Sequence, residues 1–214
     1  LMYNSDKKTT SEEIVITLDT DWAPPEVINY SINLLSKYKV KATFFVTNEV
    51  DIDFKDHEIA LHPNFLSHTK KESNSINVDE NERKILNRLQ SIYPKCKGVR
   101  THSLYFFNRL NDLFSDSGIK YISNIEMPFQ ANIRPFLIRN NIVQFPIYFM
   151  DDFVLKNKNY FPRNLSNIFR MPNYIDGRVG LKVFDFHPIH IFINTQSSEH
   201  YQQCKAYYQI PEEL

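Results

Sequence analysis

A short apolar run, IVITLDTDWAPP at 14–25, is followed by an amphipathic stretch of about a dozen residues and then by a second run, ATFFV at 42–46. This order constrains the fold more than any other feature of the chain. Ile14, Val15, Ile16 and Leu18 are β-favouring residues in the pattern of a strand covered on both faces. Pro24 and Pro25 suit a helix start, where a missing N–H does no harm. Val27, Ile28, Ile32, Leu34 and Leu35 then recur at helical spacing, predicting a helix over 26–38 with Lys37 near its end. ATFFV is too short for a helix and reads as a strand. Strand, helix, strand is a βαβ unit, whose crossover is right-handed and whose strands run parallel.

The alternation continues. HEIAL (57–61) is a strand leading into His62, Pro63, Asn64 and Phe65, and 70–79 is a polar loop. Ile85, Leu86, Leu89 and Ile92 share one face of a helix expected over 80–92. Gly98, Val99 and Arg100 make a brief strand, 107–117 a helix stopped by Gly118, and 119–122 the next strand. Residues 127–139 are Pro-rich and irregular, and 142–149 read as one strand in which Pro146 marks an edge or a bulge. The stretch 156–178 has weak periodicity and receives no assignment. LKVFDF (181–186) is the last strand, followed by His187, Pro188, Ile189 and His190. The expected fold is α/β, a single parallel sheet or an incomplete barrel of about six or seven strands. No repeat or linker divides the chain, so 1–214 is read as one domain with 1–12 flexible.

Charge narrows the partners. Lys plus Arg and Asp plus Glu number 25 each, which leaves no net field to recruit nucleic acid or an anionic membrane surface. Cys96 and Cys204 have neither metal-like nor redox-like spacing, which fits a reducing compartment. The N-terminal segment is polar and no run approaches the ~20 apolar residues of a membrane span, so a soluble cytoplasmic protein is expected. Leu1 ahead of Met2 leaves a removed leader open. Aromatic residues make up 14%, which suits either a bulky core or surfaces that stack on sugar faces.

Five of the seven expected strands end in a polar cluster: Asp19 and Asp21, then His62, then Arg100 with His102, then Asp151 and Asp152, then His187 with His190. In a parallel sheet these ends share one edge, where α/β folds place their chemistry. Asp19 and Asp21 can equally serve as an ordinary turn and helix cap. A single histidine is most often structural, but this recurrence points to one site. Imidazole and carboxylate together are a donor set for zinc or a similar divalent ion.

In order, TLDTDWAP, ATFFV, HEIALHPNF, GVRTHSLY, the strand leading to MDD, and KVFDFHPIHIFINT resemble the NodB-homology polysaccharide deacetylases over nearly the whole chain. HPNF, the Arg-x-His-Ser segment and FHPIHIF look closest to the WbmS-type subgroup found with O-antigen and surface-glycan biosynthesis. The resemblance implies a distorted (β/α) barrel and hydrolysis of an acetyl group on an N-acetylated sugar or glycan precursor, less readily an O-acetylated one. By position, Asp19 matches the general base, Asp21 the first metal ligand, His62 the first metal histidine, Arg100 the arginine that holds the base, and His187 the general acid. Asp151 or Asp152 falls near the acidic residue that tunes that acid, with Asp185 a competitor on the face of His187. Trp22, Asn64 and His190 are expected to support or bind substrate. Leu66 stands where the family has its second metal histidine, so His102 is the preferred third ligand and His68 the alternative. One divalent ion, with zinc the first choice, is the implied cofactor. Two other readings stay open: an amidohydrolase acting on another C–N bond, with or without metal, and a glycan-binding protein on an eroded deacetylase fold.

Overall fold

The computed structural model describes residues 13–66, 78–130, 132–157 and 180–214. The expected flexible segment 1–12, most of the 70–79 loop, His68 and nearly all of the unassigned 156–178 lie outside the described residues. The elements are β1 (Glu13–Asp19), α1 (Pro25–Lys37), β2 (Ala42–Val46), β3 (Glu58–Leu61), α2 (Val78–Ile92), β4 (Gly98–Val99), α3 (Leu110–Asp116), β5 (Tyr121–Ile122), β6 (Phe136–Leu137), β7 (Val143–Gln144), β8 (Ile147–Met150), α4 (Asp151–Lys156), β9 (Leu181–Phe186), α5 (Pro188–Phe192) and α6 (Ser198–Cys204). No helix among the described residues is long and apolar enough to cross a membrane.

The strands form one sheet in the order β6-β7-β5-β4-β3-β2-β1-β9-β8, parallel except for β6 against β7. The count is nine rather than six or seven, for two physical reasons. The expected strand over 142–149 breaks at Pro146, which has no N–H to give a ladder. Its first half pairs with β5 and its second with β9, with a register irregularity between Ile147 and Phe149. The second reason is β6, a two-residue antiparallel strand inside the stretch read as irregular; both its residues are exposed, so no burial pattern announces it. The run 143–150 also closes the sheet. Ile147 N–H donates to Ile125 C=O at 2.8 Å and Met127 N–H to Ile147 C=O at 2.8 Å, so the chain just past β5 lies beside the run that pairs with β9. Counted around this curl, β1 to β5, the 143–150 run and β9 are parallel neighbours in a distorted barrel.

The local chemistry explains the first βα unit. Pro24 is extended at the N-cap, Pro25 is the first helical residue, and no side chain caps this helix. Asp21 therefore does not serve as the cap that its sequence position allowed. Val27, Ile28 and Ile32 are fully buried in the main core, which also holds β2 residues Phe44 and Val46, each worth about 1.5–3 kcal/mol. Helix α2 starts at Val78, two residues before the expected Glu80. Gly118 has φ of +73, the left-handed conformation that ends α3.

Gly98 is required for close approach. A Cβ there would lie 2.0 Å from Tyr121 Cζ, and the Tyr121 hydroxyl is fixed by donating to Glu58 Oε1 at 2.8 Å. Gly98→Ala is expected to lower stability by about 2 kcal/mol, seen as a lower urea midpoint with an unchanged slope.

Candidate active site

Strand register gathers the polar ends. Asp19 pairs with Phe45, Val46 with Leu61, Leu61 with Val99, and Leu18 with Phe186. The residues leaving β1, β3, β4, β8 and β9 at their C-terminal ends therefore emerge side by side.

Arg100, the first residue after β4, reaches across the interior and has no exposure. Its Nε donates to Ser123 C=O at 3.1 Å and Nη2 to Ser123 Oγ at 2.9 Å. Nη1 donates to Asp19 Oδ1 at 2.8 Å, to Thr17 Oγ1 at 3.0 Å and, in a short contact, to Asp185 Oδ1. Thr17 donates in turn to Asp185 Oδ1 at 3.0 Å. One guanidinium thus serves two carboxylates. Burial opposes its charge, but Asp185 and Asp19 outweigh that and raise its pKa. Burial, helped by the charge of Asp19, pushes the Asp185 carboxyl well up despite Arg100. Asp185 is accordingly the arginine's partner and not the histidine's.

Asp21 stands in the turn that follows β1. Its Oδ1 lies 3.0 Å from His102 Nδ1 and 3.2 Å from His62 Nε2, and its Oδ2 lies 3.5 Å from His187 Nε2. Burial favours the neutral acid, but the hydrogen bonds from His102 and His62 and the charge of His62 and His187 outweigh it, holding the carboxyl well below the usual carboxylate range. One ligand atom each from Asp21, His62 and His102 falls within 4.8 Å of the others. Donors ~2.0–2.2 Å from a tetrahedral zinc stand about 3.4 Å apart, so the 3.0 and 3.2 Å separations fit such an ion. His62 Nδ1 is buried without a hydrogen-bond partner and points toward Asp19 Oδ2 at 3.7 Å. Metal-bound imidazoles commonly aim their second nitrogen at a carboxylate in this way. The donor set, two imidazoles and a carboxylate, suits zinc.

His187 follows β9 and caps the start of α5. Its Nδ1 lies 2.6 Å from Asp151 Oδ1, and its N–H donates to Asp151 Oδ2 at 2.7 Å. Burial works against a charged ring, yet Asp151, with Asp21 and Asp185 beyond it, raises the imidazole pKa well above its ordinary value. Asp151, the first residue of α4, is lowered in return: His187 outweighs the burial that would raise it. The Asp152 side chain turns away to Lys156 Nζ, 2.5 Å off and one helical turn on, while its backbone N–H donates to Asp151 Oδ1 at 2.7 Å.

The remaining candidates occupy the margin. Trp22 is 40% exposed and meets His102 edge-on, ring centroids 5.0 Å apart. Asn64 Oδ1 accepts from Leu66 N–H, shaping the loop after β3. His190 contacts Thr195 Oγ1 at 2.9 Å and packs edge-on against Tyr201, with burial lowering its pKa. Thr17 and Ser123 were missed in the sequence; Thr17 had a signal, sitting two residues before Asp19 on the same strand face. Both Asp21 and Trp22 have positive φ, 44 and 59, which costs about 1–3 kcal/mol per residue. The turn, rather than simple strand alternation, brings the Asp21 carboxylate to the histidines.

A family model of WbmS-like polysaccharide deacetylases matches residues 16–205. Among solved structures, the chain is similar to a Bordetella bronchiseptica protein described as a polysaccharide deacetylase involved in O-antigen biosynthesis: 26% identity over 94% of this chain and 81% of that one, with a TM-score of 0.74. It shares its fold with a Mycobacterium smegmatis protein described as a polysaccharide deacetylase, at 16% identity over 99% of this chain and 92% of that one, with a TM-score of 0.59. No curated protein matches the chain.

Proposed function

Because this chain belongs to the WbmS-like polysaccharide deacetylases, and so is a carbohydrate deacetylase, we propose that it removes the acetyl group from an N-acetylated sugar during surface-polysaccharide assembly. Asp21, His62 and His102 would hold one divalent ion, zinc by its donor set. The observation that carries this reading is the convergence of those three donors, with Asp19 against His62 and the Asp151–His187 pair against Asp21.

When bound, the ion would polarise the amide carbonyl and make its water a better nucleophile. Asp19 is the base: Arg100 fixes its Oδ1, and its Oδ2 is left to take the proton of the attacking water. His187 is the acid. Asp151 raises its pKa, which favours the protonated ring, and the ring can then donate to the departing amine, which is too basic to leave unaided. Asp151 orients that ring through Nδ1 and stabilises its charge. Trp22 offers its exposed ring to a sugar face. The products are acetate and a free amino sugar.

The test is a panel of N-acetylated, O-acetylated and N-formylated sugars, assayed for the acid released. Acetate from the N-acetylated members, stopped by chelation and restored by zinc, is the expected result. Formate alone would move the reading to another amidohydrolase, and binding without acid release to a glycan-binding protein. Metal analysis adds a prediction. The wild type should hold about one zinc equivalent, as a three-ligand catalytic site does; Asp21→Ala, His62→Ala and His102→Ala should lose it, and His68→Ala should keep it. Loss in His68→Ala with retention in His102→Ala would replace the third ligand.

A further inference from the structure

The turn carrying Asp21 is closed by Ala23 N–H donating to Thr20 C=O at 2.7 Å, and its two central residues both have positive φ. Turns of this kind ordinarily hold asparagine or glycine in the middle, since those residues accept left-handed backbone most readily. Here the centre is an aspartate and a tryptophan, so something outside the turn must hold it.

That support comes from the far end of the chain. Tyr208 Oη donates to Asp21 C=O at 2.9 Å, and Gln209 Nε2 donates to Trp22 C=O at 3.0 Å. Two consecutive residues, 187 positions away, thus grip the carbonyls of both strained residues. The Tyr208 ring packs on the main core, which anchors the grip to the body of the fold. Burial also pushes the phenol's pKa far up, so the hydroxyl remains a donor.

We infer that Tyr208 and Gln209 form a clamp on the Asp21–Trp22 turn, positioning the Asp21 carboxylate toward His62 and His102 and the Trp22 ring against His102. The consequence for metal rests on the ligand role proposed above; the clamp itself does not. Tyr208 and Gln209 are positioning residues, their side-chain donors meeting backbone carbonyls of the turn.

Trp22 is the sole tryptophan of the chain, so its fluorescence reports on this turn alone. The experiment compares wild type with Tyr208→Phe, Gln209→Ala and the double variant, by acrylamide quenching of metal-free protein and by zinc titration against a chelating dye. Tyr208→Phe keeps the ring in its packing, and Gln209 is exposed, so both variants should fold. In the double variant the quenching constant is expected to rise at least about twofold and the zinc Kd to rise about tenfold, the usual scale when a ligand's outer support is lost. Unchanged quenching overturns the clamp, whether or not the protein binds zinc. Raised quenching with a wild-type zinc Kd overturns the positioning of Asp21. A wild type that binds no zinc refutes the metal reading, and quenching then decides the clamp alone.

Discussion

Asp19→Asn is expected to lower turnover about a thousandfold, the middle of the range for a lost general base, while fold and zinc content stay at wild-type levels. The substitution is nearly isosteric. The amide oxygen can still accept from Arg100 Nη1, now 2.8 Å from Asp19 Oδ1, so the buried network keeps its shape. The other position, an oxygen 3.7 Å from His62 Nδ1, becomes an NH2 group that cannot take a proton from water. Asp19 is not among the grouped metal donors, so zinc should remain. The measurement is kcat for acetate release beside zinc content and thermal midpoint. Near-wild-type turnover would remove Asp19 as the base, and a loss of zinc would make it a ligand.

Arg100→Met should be the most destabilising single change at the site. The guanidinium is fully buried, lies 4.3 Å over the Phe45 ring, and ties β4 to β1, β9 and the chain after β5. Methionine fills much of the volume but leaves the buried Asp19 carboxylate, with the Asp185 carboxyl beside it, without its cation. Breaking a buried ion pair from one side costs about 3–5 kcal/mol, which in a domain of this size lowers the thermal midpoint by about 10 °C. Arg100→Lys should fall between, since an ammonium keeps the charge without the fork that reaches both Ser123 and Asp19. A midpoint within about 2 °C of wild type for Arg100→Met, under 1 kcal/mol on the same scale, would show that the network contributes little.

Much of this was legible in the order of residues, because it depends on local periodicity. β9 runs over Leu181–Phe186 as its alternating bulky residues required, and α1 starts at Pro25 where the proline pair placed it. Parallel strands put all their C-terminal ends on one edge, so Asp19, His62, Arg100, Asp151 and His187 could be expected together before any coordinate was known.

What could not be read is whatever depends on contacts between distant segments. Asp151 and Asp152 are neighbours with the same side chain; only the approach of α4 to the end of β9 gives Asp151 to His187 and leaves Asp152 to Lys156. Asp185 shares a strand face with His187, yet the reach of Arg100 across the barrel claims it. The split at Pro146 depends on which strands lie on either side, and β6 is too short and too exposed to leave a pattern. The grip of Tyr208 and Gln209 on Asp21 and Trp22 has no sequence signature, being two hydrogen bonds to backbone carbonyls, groups that every residue carries. The sequence by itself determined the strands, the first helix and the chemical types at the strand ends, since periodicity and composition are local. Tertiary structure alone decided which carboxylate serves which cation and how the first turn is held, since those choices rest on distances between segments far apart in the chain.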